Sequence, residues 1–380
     1  MNSLLRYALS AAVALAVAGC TPDDGAKELE QGRAAYELHD LKKAEKLFEK
    51  SVSLSPENVD ALVYLARVKL RLGEVDAASE AIGKAAALAG NDADVRFLQA
   101  QVAWHLKEYA VAAKLFGGIA ADESLAPEIR AQGWTGLGIV EMAREKPHVA
   151  RTAFLRAIRV DRREASAWYH LGLLYRDTFG YQEAARDQFE IYVRLDDAKS
   201  ERVQKVQRTI IPGIKDTIAR MAAERPGVAK RDSSASSSEI SKAEAAWKKN
   251  DFRTARQCYQ AALAADPLSY PAALGLARAW QKTDATKAGQ TKALECYRNA
   301  CSLNSGAVST FLTAGALAAK LGMHAQAVEI YSRAVAANPM SLEALDGLIR
   351  ELRHSGVKDA ASDAQAYQNY RSAITVRRKK

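Results

Sequence analysis

Cysteine is scarce: four residues in 380, with no Cys-x-x-Cys spacing among Cys20, Cys258, Cys296 and Cys301. That excludes a disulfide-stapled small fold, a thiolate zinc site and a thioredoxin-like redox motif. Proline is limited to nine residues, and runs of Val, Ile, Thr and aromatics are hard to find, which argues against sheets and for an all-α chain. The six histidines are scattered at His39, His105, His148, His170, His324 and His354. HExxH, GxSxG and Walker-type loops are all missing, so no catalytic residues, no metal and no cofactor are expected. His170, beside Trp168, is expected as a packing or surface residue. No apolar run approaches the ~20 residues of a membrane-spanning helix; the longest covers residues 7–17.

That run begins behind Arg6 and ends in Val17-Ala18-Gly19-Cys20, an export-signal layout. The last four residues resemble the bacterial lipobox at every position. An ordinary secretory signal or an uncleaved helical anchor also fits the apolar stretch. The resemblance implies that residues 1–19 are a lipoprotein signal peptide and that Cys20 becomes the diacylated (palmitate-type) first residue of a membrane-anchored lipoprotein. Burial of acyl chains at about 0.8 kcal/mol per CH₂ then anchors the chain without a transmembrane helix. Similarity to enterobacterial lipoproteins, with uncharged Thr21 after the cysteine, implies the outer membrane, facing the periplasm. Asp23 and Asp24 read as an acidic start to a tether over residues 20–25. At about 3.6 Å per extended residue, the segment from Thr21 to Gly25 reaches at most about 18 Å.

Net charge is +9, a balance that raises the question of nucleic acid. An exported chain does not meet it, so no nucleic-acid partner and no small-molecule substrate are expected. Acidic proteins, anionic headgroups and phosphorylated envelope glycans fit better.

Self-similarity organises the rest. Trp168-x-x-Leu171-Gly172-x-x-Tyr175 is followed by Ala185-x-x-x-Phe189, and Trp134, Leu137, Gly138, Ala150, Phe154 and Ala157 repeat that grammar. Gly32, Ala44, Phe48 and Pro56 carry it near the start, and Ala78/Ile82 and Ala112/Phe116 continue it. Ala255/Tyr259, Ala293/Tyr297 and Ala327/Tyr331 resume it later, and Cys258 and Cys296 fall at equivalent places there. Ala44, Ala78 and Ala112 lie 34 residues apart. These residues resemble the tetratricopeptide repeat family, whose period is 34. The resemblance implies a right-handed superhelical solenoid of antiparallel helix pairs, about eight repeats in two arrays. Small residues sit where backbones approach, large ones fill the gaps, and each pair buries its apolar face only by stacking on the next.

The expected organisation is a first array of five repeats over residues 26–197, a capping helix over 198–225 broken at Pro212-Gly213, and a flexible Ser-rich linker over 226–238. A second array of three repeats covers 239–341, and a degenerate ninth repeat with a basic tail covers 342–380. Register in the fifth repeat slips by one near Gly180. The tail Arg377-Arg378-Lys379-Lys380 reads first as a solvated terminus, with contact to anionic lipid or an acidic partner as the alternative.

In the family, the first helix of each pair lines the concave groove. Carried over, that frame puts Arg33, Tyr36, Arg67, Arg71, Phe97, Gln101, Trp104, His105, Met142, Tyr169 and Arg176 on the groove of the first array. Trp247, Lys248, Arg278, Lys282 and Lys320 fall on the plainer groove of the second. Aromatic and cationic side chains suit a peptide segment, particularly an acidic one; the same pattern also fits a solvated amphipathic face. The carboxylate clamp of chaperone-binding members is not implied, because its places hold Leu29 and Arg33, then Val63 and Arg67. The expectation is a non-catalytic scaffold that binds peptide segments of envelope proteins. The alternatives are a regulator or adaptor of a cell-wall enzyme and a pilus or secretion assembly lipoprotein.

Overall fold

The structure is a computed structural model that describes residues 25–225, 228–356 and 359–376. The expected signal peptide, Cys20, most of the tether, Pro226-Gly227 and the basic tail lie outside the described residues. Every regular element among the described residues is a helix. Two compact units are present, Met1–Leu115 and Phe116–Lys380.

The first unit holds α1 (Ala26–Glu37), α2 (Leu41–Leu54), α3 (Val59–Arg71), α4 (Val75–Ala89) and α5 (Ala93–His105), and the unit boundary falls inside α6 (Tyr109–Ala121). Short polar side chains start these helices: Asp40 accepts from the Lys43 amide, Asn58 from Ala61, and Asp92 from Asp94 and Val95. Such caps satisfy amides that have no partner in the first turn. Each turn within a pair carries one left-handed residue, His39, Gly73 and Lys107, which lets the chain reverse after a helix C-terminus. Ala44, Phe48, Leu62, Val68, Ala78 and Ile82 form the core between the pairs.

The second unit continues with α7 (Pro127–Ala143), α8 (Pro147–Val160), α9 (Ala165–Leu173) and α10 (Gln182–Leu195), then α11 (Glu201–Lys205) and α12 (Ile211–Ala223). Four further pairs follow: α13 (Ser233–Lys248) with α14 (Phe252–Ala265), α15 (Tyr270–Thr283) with α16 (Lys287–Leu303), α17 (Val308–Lys320) with α18 (His324–Ala337), and α19 (Leu342–His354) with α20 (Ala360–Val376). Packing within a pair turns on glycine facing an aromatic ring. A methyl group at Gly138 would overlap the Phe154 ring, and the same holds for Gly32 against Phe48 and Gly315 against Tyr331. Gly138→Ala is therefore expected to destabilise the second unit by about 2 kcal/mol, as overpacking does. Gly213→Ala, on a helix position open to solvent, is expected to be neutral or stabilising. Chemical denaturation of both variants checks this.

Two sequence expectations need correction, and the one-residue slip near Gly180 acquires a structural cause. The slip near Gly180 is a π turn, Leu174–Thr178, where the Phe179 amide reaches back to the Leu174 carbonyl. One surplus residue is thereby absorbed without breaking the helix. The segment read as a capping helix broken at Pro212-Gly213 runs unbroken from α11 through a π turn, Val206–Ile210, into α12. Proline has no amide to donate, and the π turn ends beside it, the Ile211 amide bonding Val206. Val203, Val206, Ile211 and Ile214 are buried. Finally, Ser233 to Ser238 is not a flexible linker but the start of α13: Asp232 caps the Ser234 and Ala235 amides, Ser236 is buried, and Ser237 bonds the Ser233 carbonyl. The fourth and fifth repeats thus share one compact unit with the later ones. Cys258, Cys296 and Cys301 are free thiols.

One polar cluster lies deep in this unit. Arg151 of α8 is fully buried. Its Nε donates to Tyr367 Oη of α20 at 2.7 Å and its Nη1 to the Ser332 carbonyl of α18 at 3.1 Å. The guanidinium lies 4.9 Å from the centre of the Phe179 ring and 5.0 Å from that of Tyr367. His148 Nδ1 is 3.1 Å from Tyr367 Oη.

Candidate peptide-binding surfaces

On the first unit, α1 and α3 bring four of the expected residues together around one that was not expected, Tyr64. Arg33 lies 4.9 Å and Arg67 5.4 Å from the centre of the Tyr64 ring. Tyr64 stacks on Phe48 at 5.3 Å and meets Tyr36 edge-on at 6.1 Å. Arg71 covers Tyr36 at 4.4 Å. The signal in the sequence was a tyrosine three residues before Arg67 on an otherwise aliphatic helix.

This ladder is already compensated in charge. Arg33 bonds Asp60 at 2.7 Å and Glu30 at 2.8 Å, and Arg67 lies 3.5 Å from Asp94. Arg71 forms no ion pair among the described residues and is exposed. Phe97, Gln101 and Trp104 are half-buried on α5, and His105 is exposed at its end. Trp104 meets His105 edge-on at 4.9 Å, while its indole Nε1 is enclosed without a hydrogen-bond partner.

In the second unit, Tyr169 is partly covered by the helix that follows its repeat, with the Arg202 guanidinium 5.3 Å from its ring centre. Arg176 grips its neighbour Asp177 through two bonds of 2.5 and 2.8 Å. His170 stacks on Phe154 at 5.9 Å, and burial first, then Arg202, brings its pKa down to about 4.

Two pockets open on the first helices of the later repeats. One, of about 380 Å³, lies between α13 and α15 and is lined by Ile240, Trp247, Tyr259, Tyr270 and Leu274, with Lys248, Arg278 and Glu244. The next, of about 480 Å³, is lined by Gln281, Leu312, Leu317, Lys320 and Glu343 of α15, α17 and α19.

Burial pushes the Cys296 thiol up to about 11 and the Cys301 thiol up to about 12, so both stay protonated and unreactive at neutral pH. Among the described residues no group of three or more His, Cys, Asp or Glu is placed to hold a metal ion, and no helix is long and apolar enough to cross a membrane.

Helix pairs stacked through small–large contacts, with aromatic and cationic residues on their first helices, define a helical-repeat scaffold. Residues 35–102, 135–200 and 240–300 match models described as tetratricopeptide repeat. The chain belongs to the tetratricopeptide repeat family, whose repeats generally serve as non-catalytic protein-binding scaffolds. No curated protein matches the sequence. Among solved structures, the chain is similar to PilF of Pseudomonas aeruginosa, at 21% identity and a TM-score of 0.42, over 53% of this chain and 94% of that one. It is similar to MamA, residues 41 to the end, from Desulfovibrio magneticus RS-1, at 15% identity and a TM-score of 0.40, over 48% and 100%. It is also similar to the Cut9–Hcn1 hetero-tetramer of the APC/C, at 16% identity and a TM-score of 0.35, over 90% and 78%.

Proposed function

We propose that this protein is an envelope scaffold, tethered to the outer membrane through lipid on Cys20, whose repeat grooves hold peptide segments of envelope proteins. The observation that carries the binding half is the ordered Arg33–Tyr64–Arg67 and Tyr36–Arg71 ladder. Stacked guanidinium and phenol groups are held in place before a ligand arrives, so little side-chain entropy is lost on binding. Aromatic and arginine side chains also carry most of the energy at protein interfaces. The lipobox residues Val17 to Cys20 support the tether, and the absence of catalytic motifs favours holding over turnover.

In-cell crosslinking with an Arg67→Glu, Trp104→Ala double variant tests the reading. Both positions are partly exposed, so the variant is expected to fold, as a thermal melt verifies. Capture of those envelope proteins held by the first-unit groove should fall at least tenfold. Undiminished capture of every partner would remove the first-unit groove from the account.

A further inference from the structure

The two groove surfaces carry different electrostatics, and the difference runs against their arginine content. On the first unit, Arg33 and Arg67 are each matched by a carboxylate of the protein itself, Asp60 and Asp94. An incoming carboxylate there must displace an existing partner, and exchange of one exposed ion pair for another gains little. On the later repeats, Lys248, Arg278, Lys282 and Lys320 are all exposed. Among the described residues none of these four forms an ion pair or a side-chain hydrogen bond.

These cations border apolar floors. Lys248 and Arg278 edge the pocket floored by Ile240, Trp247, Tyr270 and Leu274, and Lys320 edges the neighbouring one with Leu312 and Leu317. The pockets abut along α15, where Arg278 lines the first and Gln281, one turn on, lines the second. Residues at that spacing are neighbours on a helix surface. Tyr270 is locked by a 2.8 Å hydrogen bond to Thr310 of α17, and Trp247 by an edge-on contact of 4.8 Å with Phe252. The apolar floor is therefore fixed in shape, and only the cationic rim is free to respond.

We infer that the α13–α15–α17 surface is the receptor for an acidic peptide segment of a partner protein. An aromatic or branched aliphatic side chain of that segment enters the 380 Å³ pocket, and its flanking carboxylates meet Lys248, Arg278 and Lys320. This rests on the protein-binding part of the proposed function and is independent of the lipid anchor. Two acids, Glu244 and Glu343, also line these pockets. They set a polarity: a carboxylate of the ligand is excluded beside them and is steered to the cationic positions.

The test sorts a displayed random peptide library on the full chain, then measures enriched peptides by fluorescence polarisation. Enrichment of acidic peptides with one aromatic or large aliphatic residue is expected. Their affinity should fall at least tenfold in Arg278→Glu/Lys320→Glu and in high salt, and should be unchanged in Lys43→Glu, on α2 of the first unit and outside both grooves. All three positions are exposed, and circular dichroism verifies that the variants fold. Enrichment of neutral or basic peptides would overturn the acidic receptor while leaving protein binding intact, as would acidic peptides whose binding survives Arg278→Glu/Lys320→Glu. No enrichment at all would defeat both readings.

Discussion

Tyr367→Phe is expected to cost the second unit about 3 kcal/mol, although it removes a single oxygen. That oxygen accepts from the Nε of fully buried Arg151 and lies against His148 Nδ1. Without it the guanidinium keeps one hydrogen bond, to Ser332, while its Nη2 already has none. A buried charge that loses a partner cannot recover the loss from water, and such losses run to about 3–5 kcal/mol. The same helix supplies the contrast. Arg371 grips Asp346 at the surface, with half of the aspartate side chain exposed. Arg371→Ala is expected to cost under about 1 kcal/mol, because exposed pairs are screened. Urea denaturation of the two variants side by side checks the pair. Equal shifts would mean that the buried network does not hold α20 in place.

Acidification should also weaken the second unit, by roughly 3 kcal/mol between pH 7 and pH 5. Burial first, then Arg151, brings the His148 pKa down to about 3, and His170 is brought down to about 4. Both lie below the ordinary histidine value of 6.5, so below that pH the unfolded chain binds protons that the folded chain refuses. Stability therefore falls as pH drops below 6.5, by about 2 kcal/mol per histidine at pH 5. Asp363 opposes the trend. Burial first, then Asp359, raises its pKa to about 6 from 3.8, against the pull of Arg151 and Lys146. It takes up a proton more readily folded than unfolded, so acidification to pH 5 returns about 1 kcal/mol. His148→Asn should flatten the profile and Asp363→Asn should steepen it, both read from thermal midpoints across pH. A profile unchanged by His148→Asn would contradict its burial in the neutral form.

The helix pairs were legible because their determinants are local. Gly138 and Phe154, like Gly315 and Tyr331, recur at fixed spacing, and each pair's fit depends only on its own residues and its neighbours. The two π turns were visible only as a surplus residue near Gly180 and a proline at Pro212, since the sequence does not say whether a helix breaks or bulges there. The Ser233 to Ser238 run misled because composition was read without its cap, Asp232, which makes that run a helix start. Arg151 was invisible: next to Ala150 and three residues before Phe154 it reads as a surface position, and its burial depends on Ser332 and Tyr367, about two hundred residues away in the sequence.

The groove was legible as a face but not as electrostatics. Arg33 and Arg67 were legible as cations, yet the carboxylates that compensate them, Asp60 and Asp94, stand on the first helix of the following repeat. Conversely the second groove looked plain because a single aromatic, Trp247, stands among its cations, and those cations lack the carboxylate partners that Arg33 and Arg67 have.

Crosslinking in intact cells, followed by purification through a C-terminal tag and mass spectrometry, tests the central claim most directly when wild type is compared with Cys20→Ser. A lipid-tethered protein-binding scaffold predicts a defined set of envelope proteins captured by wild type and largely lost when Cys20 cannot be acylated. Capture of no protein by either chain, with both fractionating alike, would contradict it.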